Sequence, residues 1–276
     1  MDGTSNHSPI QWKAVSGQVP GCGHVERGIP CQDRADAWAG NFPGLMVLDG
    51  RGSAALSHVG AAAAKDSLRD IIRDSDRLLA SILDAPARDF AEVAWQGLAG
   101  VMYHAAASEQ LKLADWYQMD AGSFEFTLTL VIMGERWLGW LAVGDCPLVI
   151  TRHGVTALAT EMAAGEFANQ TSFITATPGS RLGMQGGVIP VEGVRSIVAM
   201  SDGSASRLVH HQNQQPALAV SEIVERVVSK DWEIQELVDV LEDPAWDRVT
   251  RDDRSLAILA AISTPAGRMM RHPRTS

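Results

Sequence analysis

The sequence predicts an α/β (α+β) fold, a four-layer αββα sandwich in which two antiparallel β-sheets pack face to face and helix pairs flank them. Three observations support this prediction. Apolar strand-like runs occur in groups, paired stretches with helical periodicity separate the groups, and a strand-like run closes the sequence. Strands and helices do not alternate one by one, as they would in a chain of βαβ units, so layers of antiparallel sheet are favoured.

The first third of the chain supplies two strands and a pair of helices. Strand-like patterns cover residues 11–19 and 44–48, the second being the apolar run GLMVL. Apolar residues then recur at helical spacing over 53–83 and again over 90–105, which predicts two long amphipathic helices. Helices of this kind need an apolar sheet to cover.

The middle of the chain supplies that sheet. The apolar runs 127–133 and 137–143 flank Gly134-Glu135-Arg136, which predicts a hairpin of antiparallel strands, and we expect PLVITRHG and SIVAM to extend the same sheet. A polar, glycine-rich segment at about 157–181 is long enough to form a surface flap. Helical spacing at 218–228 and 234–241 precedes the closing strand at 255–262.

Composition favours one soluble domain. The 276 residues are 46% hydrophobic and 20% charged, which fits a globular chain with a sizeable core, and we expect a single domain over 10–263 with flexible tails at 1–9 and 264–276. The formal charge of −10 repels nucleic acid and anionic membrane surfaces. A polar N-terminus and short apolar runs predict a cytoplasmic protein, which we expect to be a monomer.

Cys22, Cys31 and Cys146 lack the paired spacing of a disulfide framework, so we predict reduced thiols. Cys22, His24 and Cys31 could supply part of a zinc site, but no second cluster in the sequence provides the missing ligands. A structural role for the cysteines is therefore the favoured interpretation.

Three aspartates mark strand ends. Asp49 and Asp202 follow apolar runs in LMVLDG and IVAMSDG, whereas Asp252 precedes the last run in RDDRSLAIL. If the last strand runs antiparallel to the other two, the three carboxylates converge at one edge of the sandwich. A single Asp-Gly is a common turn, but three convergent carboxylates repel one another unless cations neutralise them. Oxygen ligands without His or Cys suit Mg²⁺ or Mn²⁺, which predicts a dinuclear centre.

Six motifs in order along the chain resemble the protein phosphatase 2C family of metal-dependent protein phosphatases, and in particular its bacterial members. They are GCGHVERGIPCQD (21–33), VLDGRGSAALSHVGA (47–61), VGDC (143–146), GEFANQTSFIT (165–175), MSDG (200–203) and RDDRSLAIL (251–259). The resemblance implies hydrolysis of phosphoserine and phosphothreonine in proteins by a water activated between two metals.

The resemblance also implies roles for individual residues. Asp49 would bridge the two metals, the backbone carbonyl of Gly50 would join Asp49 as a ligand, and Asp202 and Asp252 would complete the ligands of the second metal. Asp33 would lie in the outer shell. These four aspartates form the predicted catalytic set. Asp145 could hold a third, weaker metal, although Ser206 stands where some relatives have another acid.

The sequence departs from the wider family near Asp33. Gln32 replaces an acidic residue found in many members, and Arg27 lies one residue out of register with the phosphate-binding arginine. Arg27 or His24 is a candidate for the substrate phosphate, although an exposed arginine on a loop is more often simply solvated. These departures motivate an alternative, a catalytically weak phosphatase-like adaptor that binds a kinase or a phosphoprotein. A small-metabolite phosphatase is a third hypothesis.

Three further expectations concern the flap, two histidines and the partner. Glu166, Phe167 and Asn169 lie in the predicted flap, where they either shape the substrate cleft or form an ordinary surface loop. His210 and His211 are predicted surface residues, because adjacent side chains point apart on a helix or strand. The bacterial relatives commonly oppose a protein kinase, so we expect a phosphorylated protein as substrate and a cognate kinase as partner.

Overall fold

A computed structural model describes residues 10–161, 171–176, 183–210 and 212–262. The strands are β1 (Gln11–Val19), β2 (Arg34–Trp38), β3 (Gly44–Leu48), β4 (Leu128–Met133), β5 (Trp137–Val143), β6 (Leu148–Arg152), β7 (Val155–Leu158), β8 (Met184–Pro190), β9 (Val194–Met200), β10 (Val209–His210), β11 (Gln215–Pro216) and β12 (Arg254–Ile262). The helices are α1 (Cys22–Arg27), α2 (Ser57–Arg73), α3 (Asp76–Leu83), α4 (Arg88–Tyr117), α5 (Asp202–Leu208), α6 (Leu218–Ser229) and α7 (Ile234–Leu241). Two 3₁₀ turns lie at Ala121–Phe124 and Trp246–Arg248.

Ten of these strands form two five-stranded sheets. Sheet 1 has the order β1-β12-β9-β6-β7 and sheet 2 has the order β2-β3-β4-β5-β8, while β10 and β11 form a separate ribbon. The neighbouring strands of both sheets pair antiparallel. The predicted pair of antiparallel sheets is therefore confirmed.

Three clusters of buried apolar side chains hold the sandwich together: one between the two sheets and one between each sheet and its helices. Helices α2, α3 and α4 pack on the outer face of sheet 2, and α5, α6 and α7 pack on the outer face of sheet 1. Strand β3 has apolar side chains on both faces, so its sequence does not alternate between apolar and polar residues. Leu45 and Val47 face sheet 1, whereas Met46 and Leu48 face the helices. Both faces of this strand are covered, so an unbroken apolar run is what its position requires.

Two sequence-based expectations about elements are wrong. The stretch 53–83 is interrupted at Asp74-Ser75, which gives α2 and α3 instead of one helix, whereas α4 continues twelve residues beyond the predicted Ala105. Strands β6 and β9 lie in sheet 1 and do not extend the β4–β5 hairpin. Gly144, with a φ of 103°, follows β5 and turns the chain from sheet 2 towards sheet 1.

The sequence patterns did not predict α1, β2, β7, β8 or α5. Helix α1 is only six residues long, and its end is fixed by Gly28 in the left-handed region at a φ of 65°. Strand β2 is half-buried along its whole length, so it has no alternating pattern to recognise. None of the helices in the described ranges is long and apolar enough to cross a membrane.

Several predictions fall outside the described residues. These are both tails, most of the flap, and within it Glu166, Phe167 and Asn169, together with His211. His210, which the structure does describe, is exposed as predicted. The boundaries of the catalytic domain remain a prediction.

Candidate active site

Six aspartates from both sheets meet at one edge of the sandwich. Asp33 precedes β2, Asp49 follows β3, Asp145 follows β5, Asp202 follows β9 and opens α5, and Asp252 and Asp253 precede β12. Strand β12 starts where β9 ends, because Leu256 pairs with Met200 in antiparallel register. The last strand, β12, is therefore antiparallel to β9, as the predicted convergence of Asp202 and Asp252 requires.

The carboxyl groups of Asp49 and Asp202 share a hydrogen bond. Desolvation by the surrounding protein raises the pKa of Asp49 well above its ordinary value, and the negative charges of Asp33, Asp202 and Asp145 raise it further. The backbone of Asp49 is held by Thr127, whose amide donates to the Asp49 carbonyl at 2.8 Å. Two carboxyl groups this close must share a proton or a cation.

Asp202 connects this pair to Asp252. Although part of the Asp202 side chain reaches solvent, desolvation and then the charges of Asp145 and Asp252 raise its pKa from 3.8 to about 6. Asp145 in turn accepts a hydrogen bond from Oγ1 of Thr171 at 2.6 Å. The structure thus brings Asp145, predicted only for a weaker third metal, beside Asp49 and Asp202.

Asp33 lies beneath the same cluster and is 1% exposed. Burial raises its pKa from 3.8 to about 8, the hydroxyl groups of Ser201 and Ser255 oppose this rise, and the charges of Asp253 and Asp202 add to it. Within the described part of the chain, its Oδ2 atom accepts no hydrogen bond. A buried carboxylate oxygen without a donor is costly, so this atom favours a cation or an ordered water nearby.

These observations fit a divalent cation centre. The carboxylates of Asp33, Asp49, Asp145, Asp202 and Asp252 lie in one chain of charge interactions, and three of them have raised pKa values. Bound cations would replace the shared proton and offset both the burial and the mutual repulsion that raise those pKa values. Because the cluster offers carboxylate oxygens, Mg²⁺ and Mn²⁺ suit it.

Asp253 ties the N-terminal segment to this edge, a role that the sequence did not predict. Its Oδ1 accepts a hydrogen bond from the backbone N–H of Gly21 at 2.8 Å, and its Oδ2 accepts one from the backbone N–H of Gln32 at 2.5 Å. The carboxylate is 2% exposed and therefore holds both ends of the segment that contains α1. The one available signal was the second aspartate of RDDRS, but spacing alone does not tell which of the two is buried.

The backbones at this junction approach so closely that glycine is required. A Cβ atom at Gly21 would lie 2.2 Å from the carbonyl oxygen of Asp252, and one at Gly203 would lie 2.0 Å from that of Asp253. The turns before α1 and at the start of α5 are therefore packed directly on the turn before β12.

The two residues predicted for the substrate phosphate lie in different environments. His24 is 4% exposed, and its Nδ1 lies 2.8 Å from Oδ1 of Asp253. Arg27 is exposed on α1, donates from Nε to the carbonyl of Gly23 at 2.8 Å, and lines a groove that also borders Asp252. Of the two, only Arg27 presents its charge openly to this groove.

Arg51 is a further candidate that the sequence interpretation missed. It directly follows Gly50, its side chain is 46% exposed, and it forms an ion pair with Glu125 at 2.5 Å. Its guanidinium lies over the ring of Phe173, 5.3 Å from the centroid. The signal available was a basic residue next to the Asp49-Gly50 turn.

The remaining predictions about this region concern a serine and the cysteines. The hydroxyl of Ser206 donates a hydrogen bond to the backbone carbonyl of Asp202 at 3.0 Å, so it stabilises the start of α5.

The three cysteines are free thiols, and burial raises the pKa of Cys31 and Cys146, which keeps both protonated. In the described ranges, the metal-competent cluster that includes His24 contains Asp252 and Asp253 and no cysteine, so the zinc alternative is not supported.

Comparison with known proteins gives a family match and several structural neighbours. Residues 20–242 match the family described as Protein phosphatase 2C. No curated protein sequence matches the chain. A catalytic domain of the serine threonine protein phosphatase PstP, in complex with two manganese ions, is 14% identical with a TM-score of 0.61, covering 92% of this chain and 100% of that chain.

Two other solved structures are similarly related. Serine/threonine phosphatase Stp1 from Staphylococcus aureus is 14% identical with a TM-score of 0.60, over 95% of this chain and 100% of that chain. A bacterial serine phosphatase is 16% identical with a TM-score of 0.59, over 91% of this chain and 98% of that chain. At these identities the structural likeness establishes the fold.

Proposed function

Because the chain belongs to the protein phosphatase 2C family and is a protein phosphatase, we propose that it hydrolyses phosphoserine and phosphothreonine in proteins with a water activated between two divalent cations. The observation that supports this most directly is the Asp49–Asp202 carboxyl pair at the edge where the two sheets meet. Such a pair is unfavourable without a cation, whereas it is suited to hold one.

Each candidate ligand has a position consistent with its proposed role. We propose that Asp49, with the backbone carbonyl of Gly50 beside it, would hold two cations together with Asp202 and Asp252, and that Asp145 would hold a weaker third. Asp33, buried under the cluster, would orient the metal-bound waters through its unpaired oxygen. When bound, the cations would lower the pKa of a water and neutralise charge on the phosphoryl oxygens. Mn²⁺ and Mg²⁺ both fit, and two manganese ions are present in the PstP neighbour.

The chain's own cationic groups would position the phosphate. Arg27 lines the groove beside Asp252 and is exposed, so we propose it as the phosphate contact in preference to buried His24. A guanidinium can form paired hydrogen bonds to phosphate oxygens, which fixes the phosphorus relative to the attacking water. Asp202, Asp252 and Arg27 would then surround the reacting group.

A metal-dependent assay tests this function. The folded wild type should hydrolyse para-nitrophenyl phosphate and a phosphothreonine peptide when Mn²⁺ is supplied, and Asp202→Asn should reduce both rates by at least about 100-fold. Absence of turnover with every divalent cation would end the enzymatic proposal. Turnover that survives Asp49→Asn would show that the site is elsewhere.

The alternative, a catalytically weak adaptor, rested on Gln32 and on the register of Arg27. Gln32 is 4% exposed, and its backbone amide, which any residue type would supply, donates to Asp253 and holds the loop before Asp33. Its side-chain Nε2 donates to the carbonyl of Ala54 at 3.5 Å. An adaptor would show no Mn²⁺ or Mg²⁺ binding in calorimetry while still binding a phosphoprotein. A cognate kinase as partner, a monomeric state and a cytoplasmic location are further proposals that follow from the family resemblance and composition.

A further inference from the structure

His24 occupies an unusual position for a histidine at the edge of a carboxylate cluster. Its side chain is 5% exposed and lies between two aspartates, with Nδ1 2.8 Å from Oδ1 of Asp253 and Nε2 3.8 Å from Oδ1 of Asp252. Possible ligand atoms of these three residues lie within 4.8 Å of one another. The two ring nitrogens therefore face carboxylates that have different roles.

Asp253 is the inner carboxylate, and its oxygens are already used. Besides the contact with His24, Oδ1 accepts a hydrogen bond from the backbone N–H of Gly21, and Oδ2 accepts one from the backbone N–H of Gln32. Nδ1 lies 2.8 Å from Oδ1 of Asp253 but is not aligned for a hydrogen bond with any of the described residues. A deprotonated Nδ1 would still place its lone pair close to a carboxylate oxygen, which is repulsive. The proton of a neutral His24 therefore belongs on Nδ1, and the lone pair is left on Nε2.

Asp252 is the outer carboxylate, and its side chain is 54% exposed. The Nε2 atom of His24 faces it at 3.8 Å, which is too long for a hydrogen bond but suits two ligands of one cation between them. His24 and Asp252 both line the groove that also borders Gly23, Arg27 and Thr250. A cation could enter from this groove.

We propose that Nε2 of His24 is a direct ligand of a transition-metal cation that it shares with Asp252. Asp253 acts as a positioning residue that fixes the ring and its tautomer, which is the usual role of a carboxylate behind a metal-binding histidine. This inference rests on the proposed function, because Asp252 is a ligand there. It adds a nitrogen donor to a centre otherwise composed of oxygen ligands.

A nitrogen ligand has a consequence for metal choice. Imidazole binds Mn²⁺ and later transition metals more readily than Mg²⁺, which prefers oxygen donors. His24 would therefore bias the Asp252 position towards Mn²⁺. Replacement by glutamine should weaken Mn²⁺ binding about tenfold or more and weaken Mg²⁺ binding less, which narrows the difference between the two affinities.

Pulsed EPR on the Mn²⁺-loaded protein tests the ligand directly. Electron spin echo modulation from a coordinated ¹⁴N nucleus should be present in the wild type and lost in His24→Gln. His104→Gln is the matched control, because His104 is exposed on α4 and should leave the modulation unchanged. Asp253→Asn should retain the modulation but raise the Mn²⁺ Kd by about 10- to 100-fold.

The outcomes separate this inference from the proposed function. Nitrogen modulation that disappears only in His24→Gln supports the proposal, and the wild-type spectrum needs no variant to fold. Mn²⁺ binding without nitrogen modulation in the wild type would overturn the role of His24 and leave the dinuclear centre standing. No Mn²⁺ binding by the folded wild type, measured by calorimetry, would overturn both.

Discussion

Asp49 and Asp202 form a pair of adjacent carboxyl groups that is unfavourable unless a proton or a cation lies between them. Their carboxyl groups share a hydrogen bond, and burial, followed by the charges of Asp33, Asp202 and Asp145, keeps the pKa of Asp49 high. In the absence of metal, the folded state must either hold a proton between them or tolerate their repulsion. Metal binding and loss of that proton are therefore coupled.

The first prediction follows from this coupling. Asp49→Asn removes a buried carboxyl group that the metal-free folded state can keep only by holding a proton or by tolerating repulsion, so the metal-free variant should be more stable than the metal-free wild type at pH 8. The same variant should lose Mn²⁺-dependent stabilisation and activity. Urea unfolding with EDTA and with Mn²⁺ measures both effects, and a metal-free variant less stable than the wild type would contradict the explanation.

Sequence reasoning at the residue scale succeeded where position along a strand was informative. Asp49, Asp202 and Asp252 were predicted to converge because each stands at the end or start of an apolar run, and the structure brings them together. Asp253 was missed because its importance lies in contacts with Gly21 and Gln32, more than 200 residues away in sequence. Spacing carries no information about such contacts.

At the scale of elements, the junction of α1, α5 and β12 determines the geometry of the site. The amide of Gly23 donates to the carbonyl of Arg251 at 2.9 Å, and Gly203 packs on the carbonyl of Asp253. Three short segments are thus held by backbone contacts that admit no side chain at the glycines. The position of Asp202 at the start of α5 depends on this packing.

A pair of glycine substitutions tests that dependence. Gly203→Ala would place a Cβ atom 2.0 Å from a backbone oxygen, so it should displace α5, lower the free energy of unfolding and weaken Mn²⁺ binding. Gly97→Ala on α4 has open space around the new atom and should stabilise the protein by about 0.5–1 kcal/mol. Thermal unfolding and Mn²⁺ titration distinguish them, and equal behaviour of the two variants would refute the packing argument.

Elements with a regular apolar pattern were predictable whatever their length, and elements without one were not. Strands β1 and β3 and helix α7 match the predicted ranges, because burial on one or both faces imposes a recognisable apolar pattern. Sheet membership of β6 and β9 was wrong, since apolar runs show that a strand is buried but not which sheet it joins. The six-residue α1 was missed because it spans fewer than two helical turns.

On the scale of the whole molecule, the site lies where two sheets with separate helical layers meet. Asp33 and Asp49 lie next to strands of sheet 2, Asp145 lies on the connection from β5 of sheet 2 to β6 of sheet 1, and Asp202, Asp252 and Asp253 lie next to strands of sheet 1. Cations bound between them would connect both halves of the sandwich and stabilise the folded state by mass action. The stability of the whole chain should therefore report on the site.

The pH dependence of that stability gives a third prediction. Folding raises the pKa of Asp202 from 3.8 to about 6 and that of Asp33 from 3.8 to about 8, so the metal-free folded state holds protons that the unfolded state releases. Stability without metal should therefore fall as pH rises from about 4 to about 8.

Chemical denaturation at several pH values, with EDTA or with Mn²⁺, measures this dependence. Saturating Mn²⁺ should flatten or reverse the fall, because metal affinity increases as the carboxylates lose their protons. Asp33→Asn should make the metal-free profile shallower above pH 6. Metal-free stability that rises across this range would be inconsistent with the raised pKa values.

Calorimetric titration of Mn²⁺ into the metal-free protein is the sharpest test of whether distant aspartates next to both sheets form one metal centre. The wild type should bind at least two ions per chain, and Asp49→Asn, which removes the shared ligand, should lose them together. Wild-type protein that binds no Mn²⁺, or an Asp49→Asn variant that binds it unchanged, would show that these aspartates do not form such a centre.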